Sequence, residues 1–181
     1  MVRFVFISSF FIAAVFATTT PAGGKLAPRQ LGFSAVTTSY RNLQSHFQSA
    51  NTRFATNGFT LQSARSEVQQ LYSEFNGALT SFNTCAACIA TGNFGTFSPL
   101  FMSTLSSFNT LYQTSSRVFG ASQALDLFGG FGRLDSAFDQ SFHRIVNAGA
   151  ALNTFVPGRF SSFFNQLHLT HSASYLGQFR L

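Results

Sequence analysis

Apolar residues recur at alternating steps of three and four along most of the chain, and this spacing constrains the fold more than any other feature. The first series runs from Phe33 to Phe54 and the second from Leu61 to Ile89. Such steps place each series on one stripe of a helix. Asn57-Gly58, between the two, is a turn signal. The two segments therefore predict an antiparallel helical hairpin.

Further segments carry similar apolar stripes. Ser98-Pro99 predicts the start of a third helix, because proline is tolerated at the first helical position, and Gly120 predicts its end. A fourth stripe extends from Phe131 to Leu152 and a last one from Phe160 to Tyr175. The period-two alternation typical of strands is not sustained anywhere. The sequence predicts an all-α fold, an antiparallel bundle of four to five amphipathic helices with a Phe-rich core.

The first residues predict a secretory signal peptide. Phe4–Ala17 is an apolar run that follows a short basic start, and it is shorter than the roughly 20 residues that a membrane-spanning helix needs. Residues 18–32 contain two consecutive glycines and two of the four prolines, a composition typical of a flexible leader or pro-segment. We therefore expect a signal peptide at 1–17, a leader at 18–32 and a single helical-bundle domain at 33–181. The protein should be secreted, extracellular or in the cell wall, and not membrane-spanning.

Charged residues are scarce, which disfavours several classes of function. The chain has 5 acidic and 11 basic residues, and its formal charge of +6 would fall to +3 if processing followed Arg29. Five carboxylates supply little material for a metal cage or for paired acid–base catalysis. The arginines are spread along the chain, whereas nucleic-acid binding needs them clustered on one face. We expect no catalytic constellation, no cofactor, no metal and no nucleic-acid partner.

Cys85-Ala86-Ala87-Cys88 is the most specific local motif. In a secreted chain with two cysteines, a disulfide between them is the expected state. The spacing also matches the redox CxxC motif, but redox chemistry favours a helix N-terminus, where the dipole stabilises the thiolate. Here the motif lies near the C-terminal end of a predicted helix. The main interpretation is a structural disulfide, and a thiol-disulfide protein is an alternative.

The histidines offer two pairings. His168 and His171 are three residues apart on the last predicted helix, a spacing at which two imidazoles can share a metal, but the sequence offers no third ligand. His143 follows Asp139 by four residues, which predicts an ion pair on one helix. We therefore interpret these histidines as surface or boundary residues.

Phenylalanine is the residue through which we expect function to act. Of 25 Phe, 20 remain after the first 17 residues, enough for a packed core and for rings that line a cavity or an exposed apolar patch. Three glycines in a four-residue stretch predict a hinge at one helix junction. The predicted hinge is Gly129, Gly130 and Gly132, and the predicted apolar ligand seam is Phe128, Phe131, Phe163 and Phe164.

The signal peptide, the Leu26–Gln30 leader and the Ser-, Thr- and Phe-rich helical body resemble the small secreted helical proteins of fungi, of the hydrophobic surface-binding and cell-wall mannoprotein type. That resemblance implies non-catalytic association with lipid, an apolar surface or the cell wall. Two alternatives stay open beside it: a secreted effector or interaction protein that docks a protein partner through a polar helical face, and a CxxC thiol-disulfide protein. The sequence leaves the oligomeric state open.

Overall fold

The computed structural model of the chain describes residues 32–56 and 58–178. All regular secondary structure in these residues is helical, which confirms the all-α prediction. The predicted signal peptide, most of the leader and Asn57 of the turn signal lie outside the described residues. The helices are α1 (Phe33–Phe54), α2 (Leu61–Thr84), α3 (Thr91–Phe119), α4 (Ala121–Phe128), α5 (Asp135–Asn147), α6 (Leu152–Phe155), α7 (Phe160–Gln166) and α8 (Thr170–Gly177), with 3₁₀ helices at Ala86–Ile89 and Gly129–Leu134.

The helix α3 begins earlier than the Ser98-Pro99 signal predicts. It starts at Thr91, so that Pro99 lies inside the helix. Proline there leaves the carbonyl of Gly95 without its helical donor, and Gly95 is exposed, where water can replace that bond. The hydroxyl of Ser98 donates to the carbonyl of Thr154 at 2.6 Å instead of capping the helix. The prediction placed this helix start wrongly because it treated the proline as a boundary.

The predicted last helix is divided into α7 and α8. His168 has a φ of 61° in the turn between them. The N–H groups of His168 and Leu169 donate to the carbonyls of Asn165 and Phe164 at 3.1 and 2.9 Å. This is a Schellman ending in which His168 occupies the left-handed position that glycine usually takes. Because no glycine marks this position, the apolar pattern predicted one continuous helix, and that prediction is wrong.

Phenylalanine rings fill the core between α1, α2, α3 and the C-terminal helices. Phe108 of α3 lies at the centre, and its ring centroid is 5.0 Å from that of Phe47 and 5.5 Å from that of Phe75. Tyr40 and Phe97 meet edge to face at 5.0 Å farther along the same seam. All five side chains are 0% exposed. Such contacts add to the stabilisation by burial, which is about 1.5–3 kcal/mol for each large apolar side chain.

Polar side chains fix the register between helices inside this packing. The buried amide of Asn83 on α2 donates to the carbonyl of Ala137 at 2.9 Å and accepts from the hydroxyl of Ser141 at 2.8 Å, which ties α2 to α5. The amide of Gln44 on α1 donates to the hydroxyl of Ser103 on α3 at 2.6 Å. Because a buried polar group without a partner is costly, these bonds penalise sliding of one helix along another.

Candidate functional site

The four phenylalanines of the predicted ligand seam lie inside the core. Phe128, Phe131 and Phe164 are 0% exposed and Phe163 is 4% exposed. The ring centroids of Phe128, Phe131 and Phe163 are 6.0, 4.7 and 5.1 Å from that of Phe108, and those of Phe163 and Phe164 are 6.2 Å apart. The rings are thus brought together, and they fill the space between the helices themselves. An apolar ligand would have to displace them.

The glycines of the predicted hinge lie in the 3₁₀ helix Gly129–Leu134. A side chain added at Gly129 or Gly130 would meet open space, so neither position requires glycine for packing. Gly132 is different, because a Cβ there would lie 3.2 Å from the carbonyl oxygen of Leu167 and 3.3 Å from the Cβ of His168. Gly132 therefore allows the 3₁₀ helix to pack closely against the turn between α7 and α8.

Cys85 and Cys88 form a disulfide with an S–S distance of 2.08 Å. Cys85 directly follows α2, which ends at Thr84 and not at Ile89 as the second series predicts, and both cysteines are 0% exposed. The guanidinium of Arg144 donates to the carbonyl of Cys85 at 3.1 Å, which links the motif to α5. The disulfide closes the corner between α2 and α3, with its sulfur atoms shielded from solvent.

The histidines are placed apart from one another. His168 lies in the turn before α8 and His171 lies within α8, so the two do not share a helix. His143 pairs with Asp139 at 3.4 Å between Nδ1 and Oδ1, as its spacing predicts, and its ring stacks on Tyr175 with centroids 4.4 Å apart. Within the described residues, no three His, Cys, Asp or Glu side chains are grouped so that they could hold a metal ion.

Asp135 holds the first turn of α8 from another helix. Its carboxylate accepts hydrogen bonds at 2.9 Å from the backbone N–H groups of His171 and Ser172, and at 2.7 Å from the Ser172 hydroxyl. Burial alone would raise the pKa of Asp135, but the hydrogen bonds from Ser172 and His171 and the charge of His171 lower it below its ordinary value. The sequence did not predict this role of Asp135. The one signal for it is that Leu169, before α8, has no side chain that can cap the helix, so that a cap from elsewhere is needed.

A surface of hydroxyl and amide side chains runs across α1, α3 and α7, and we call it the polar face. It consists of two shallow grooves, of about 250 and 310 Å³, which share Ser106 and Thr110 of α3. Arg159 is the single charged side chain among the groove residues, and its guanidinium lies 5.7 Å from the ring centroid of Phe160. The groove residues are Gln48, Asn51, Ser103, Ser106, Ser107 and Thr110 on one side, and Ser106, Asn109, Thr110, Gln113, Arg159, Phe160, Ser162, Phe163 and Gln166 on the other.

A second surface feature, the arginine cleft, lies between α2 and the 3₁₀ helix Gly129–Leu134. Its volume is about 490 Å³, and it brings together two arginines that are far apart in the sequence. Arg65, Gln69 and Tyr72 are spaced to share one side of α2, which is the only sequence signal for this cleft. The cleft is lined by Arg65, Val68, Gln69, Tyr72, Asp126, Leu127, Gly130, Phe131 and Arg133.

Each of the five acidic side chains in the chain has a partner in the described residues. Four of them pair at the surface with a basic side chain, and Asp135 accepts the bonds from α8 described above. The surface pairs are Arg53 with Glu67, His46 with Glu74, Arg65 with Asp126, and His143 with Asp139. In the part of the chain that the structure describes, none of the acidic side chains forms an ion pair with Arg133 of the arginine cleft.

The helices described here include none with both the length and the apolar character needed to cross a bilayer. This finding covers residues 32–56 and 58–178.

The chain is similar to one known protein family over about half of its length. Residues 34–121 match the model of the family described as Infection structure-specific protein 24-like. The matched stretch covers α1, α2, the disulfide corner and α3, and it ends before the predicted seam begins at Phe128. Comparisons with curated proteins and with solved structures gave no match. Over α1 to α3 the chain thus resembles infection structure-specific proteins, a family of fungal type, which bears out the fungal resemblance in its broad form.

Proposed function

We propose that this is a secreted, non-catalytic interaction protein that docks a protein partner through the polar face. The observation that carries the proposal is the contrast between the predicted apolar seam, which is buried, and the polar face, which lies at the surface. The seam phenylalanines are packed against one another, whereas the polar face presents hydroxyl and amide groups from three helices at the surface. The predicted signal peptide and the likeness to infection structure-specific proteins support an extracellular role.

The chemistry of the polar face suits recognition of a protein more than attraction to a charged polymer. Protein interfaces are depleted in Lys, Glu and Asp at their centre, and the grooves contain none of these residues. Arg159, stacked on Phe160, has the character of an interface anchor, because Arg is enriched at such centres.

Two amides on the polar face have an unused acceptor. The side-chain oxygens of Asn51 and Asn109 are shielded from solvent and accept no hydrogen bond within the described residues. Asn51 lines one groove and Asn109 the other. A donor from a partner could satisfy each acceptor after a small side-chain movement, and such satisfaction favours the bound state.

The proposal is tested by placing a photo-crosslinking amino acid at Ser106, identifying the protein it captures, and reconstituting the complex from purified components. Thr110→Arg should weaken the reconstituted complex at least about tenfold, because it introduces an unpaired charge at the centre of the face. Thr80→Arg is the matched control, since Thr80 is also an exposed helical threonine but lies on α2. Equal affinity of both variants, or no saturable complex, would reject the polar face as the docking site.

A second candidate is binding of an acyl lipid, an apolar surface or the cell wall through the seam. The observation in its favour is that two buried seam residues border surface pockets: Phe163 borders a groove of the polar face and Phe131 borders the arginine cleft. Native mass spectrometry of the secreted protein separates a retained lipid from a bare monomer and a homodimer. Saturable binding of a fluorescent fatty acid that is lost in Phe131→Ser and Phe164→Ser would support this candidate. No binding and no adsorption at an oil interface would reject it.

A further inference from the structure

We propose that the arginine cleft is a binding site for an acidic saccharide, a sugar oligomer that carries carboxylate groups. This site is separate from the polar face, and it shares one residue, Phe131, with the core seam. Its walls come from α2 on one side and from α4 and the 3₁₀ helix Gly129–Leu134 on the other. At about 490 Å³, it has room for a small polar ligand.

The charges of the cleft favour an anion. Within the described residues, Arg133 forms no ion pair: Asp126 of the same cleft pairs with Arg65, and the other four acidic side chains have partners outside the cleft. Arg65 pairs with Asp126 at 2.7 Å, but the two side chains are 48% and 70% exposed, and an exposed pair contributes little to stability. A ligand carboxylate can therefore replace Asp126 at Arg65 at little cost. Guanidinium groups bind carboxylates through two parallel hydrogen bonds.

The remaining lining residues favour a sugar over a simple anion or a fatty acid. Partly exposed Tyr72, together with the edges of Val68 and Leu127, gives the cleft an apolar lining, which suits the C–H face of a pyranose ring. The buried ring of Phe131 supports Tyr72 from below, with ring centroids 5.6 Å apart. Gln69 and Asp126 offer an amide and a carboxylate to hydroxyl groups beside that lining. Inorganic sulfate would use the arginines alone. A fatty acid would leave Gln69 and Asp126 without partners.

The test is calorimetric titration of the full secreted protein with the trimer of galacturonic acid at low ionic strength. The fully methyl-esterified trimer is the matched ligand control, because it keeps the rings and linkages but has no charge. We expect saturable binding of the acid trimer, weakening with added salt, and none of the ester. Arg133→Gln should weaken binding about tenfold or more, and Gln69→Ala should weaken it while leaving any binding of sulfate unchanged.

Arg41→Gln is the matched protein control, since it removes the same charge from an exposed helical arginine on α1. It should bind as the wild type does, and so should Thr110→Arg, which lies on the polar face. Circular dichroism confirms that each variant is folded. Equal binding of the ester, equal loss in Arg41→Gln and Arg133→Gln, or sulfate binding as tight as that of the trimer would each overturn the proposal.

Discussion

The carboxylate of Asp135 accepts hydrogen bonds from both the backbone N–H and the hydroxyl of Ser172, at 2.9 and 2.7 Å, and thereby joins the start of α5 to the first turn of α8. A helix usually satisfies its first N–H groups with a side chain from the preceding residue. Here the cap comes from a residue 37 positions earlier in the chain. One ionised carboxylate therefore caps the first turn of the C-terminal helix, which is also held by its buried residues Ala173 and Leu176.

We predict that Asp135→Ala destabilises the protein by about 1.5–3 kcal/mol at pH 7, the range for hydrogen bonds to charged groups. The pKa of Asp135 is lower in the folded than in the unfolded state, so its contribution is complete above the unfolded value of about 3.9 and is lost as the pH falls through the folded value. Urea unfolding of both proteins between pH 7 and pH 2 measures the difference. Asp139→Ala, at an exposed ion pair, is the control; a difference for Asp135→Ala that stays constant to pH 2 would contradict the prediction.

We predict that Phe108→Ala and Phe75→Ala each cost about 3–5 kcal/mol of unfolding free energy, because both rings are 0% exposed and a cavity would remain. Phe33→Ala provides the comparison, since Phe33 packs only partly against the core and should cost less. Thermal and urea unfolding give the values. If either core variant unfolded at the same urea concentration as the wild type, its ring would not be a core element.

We predict that Tyr40→Phe stabilises the protein by about 1 kcal/mol. The hydroxyl of Tyr40 is buried and has no hydrogen-bond partner within the described residues, and this burial raises the pKa of Tyr40 above its ordinary range. Phenylalanine keeps the ring contacts with Phe97 and Phe101 and removes the unpaired hydroxyl. Tyr112→Phe is the control and should change stability little. A loss of stability in Tyr40→Phe would reveal a partner for the hydroxyl, such as an internal water.

We predict that the Cys85→Ala/Cys88→Ala double variant folds and loses about 2 kcal/mol, because the disulfide closes a very short loop. The native protein should resist reduction by dithiothreitol, and its cysteines should be alkylated only when dithiothreitol and denaturant are present together, since both sulfurs are buried. Mass spectrometry after alkylation measures this. Rapid reduction of the folded protein, together with catalysed reduction of insulin, would favour the thiol-disulfide alternative.

The helical pattern could be predicted because burial in this chain follows the three–four spacing closely. The members of the first series from Val36 to Phe54 are all buried in α1, and those of the second series from Ala64 to Phe82 are buried in α2. Helix boundaries could not be predicted where a residue adopts a backbone position that its type rarely adopts. Pro99 lies inside α3, and His168 takes a left-handed conformation that ends α7.

The surface sites could not be predicted, because they depend on contacts between distant segments. Arg65 and Arg133 line the same cleft only because α2 packs beside the 3₁₀ helix Gly129–Leu134. Asp135 becomes a helix cap only through the position of α8. The rings of the predicted seam lie close together in the core, but periodicity does not distinguish rings that fill a core from rings that line a cavity.

The ring-packed core around Phe108 has a consequence for the environments that the protein tolerates. Stability rests on buried aromatic rings, while the four ion pairs lie at the surface, where dissolved ions weaken them and where they contribute little in any case. A fold held by charge networks would respond to a change in the salt concentration around the protein. A fold held together by buried phenylalanine rings should therefore stay folded at both low and high salt concentration.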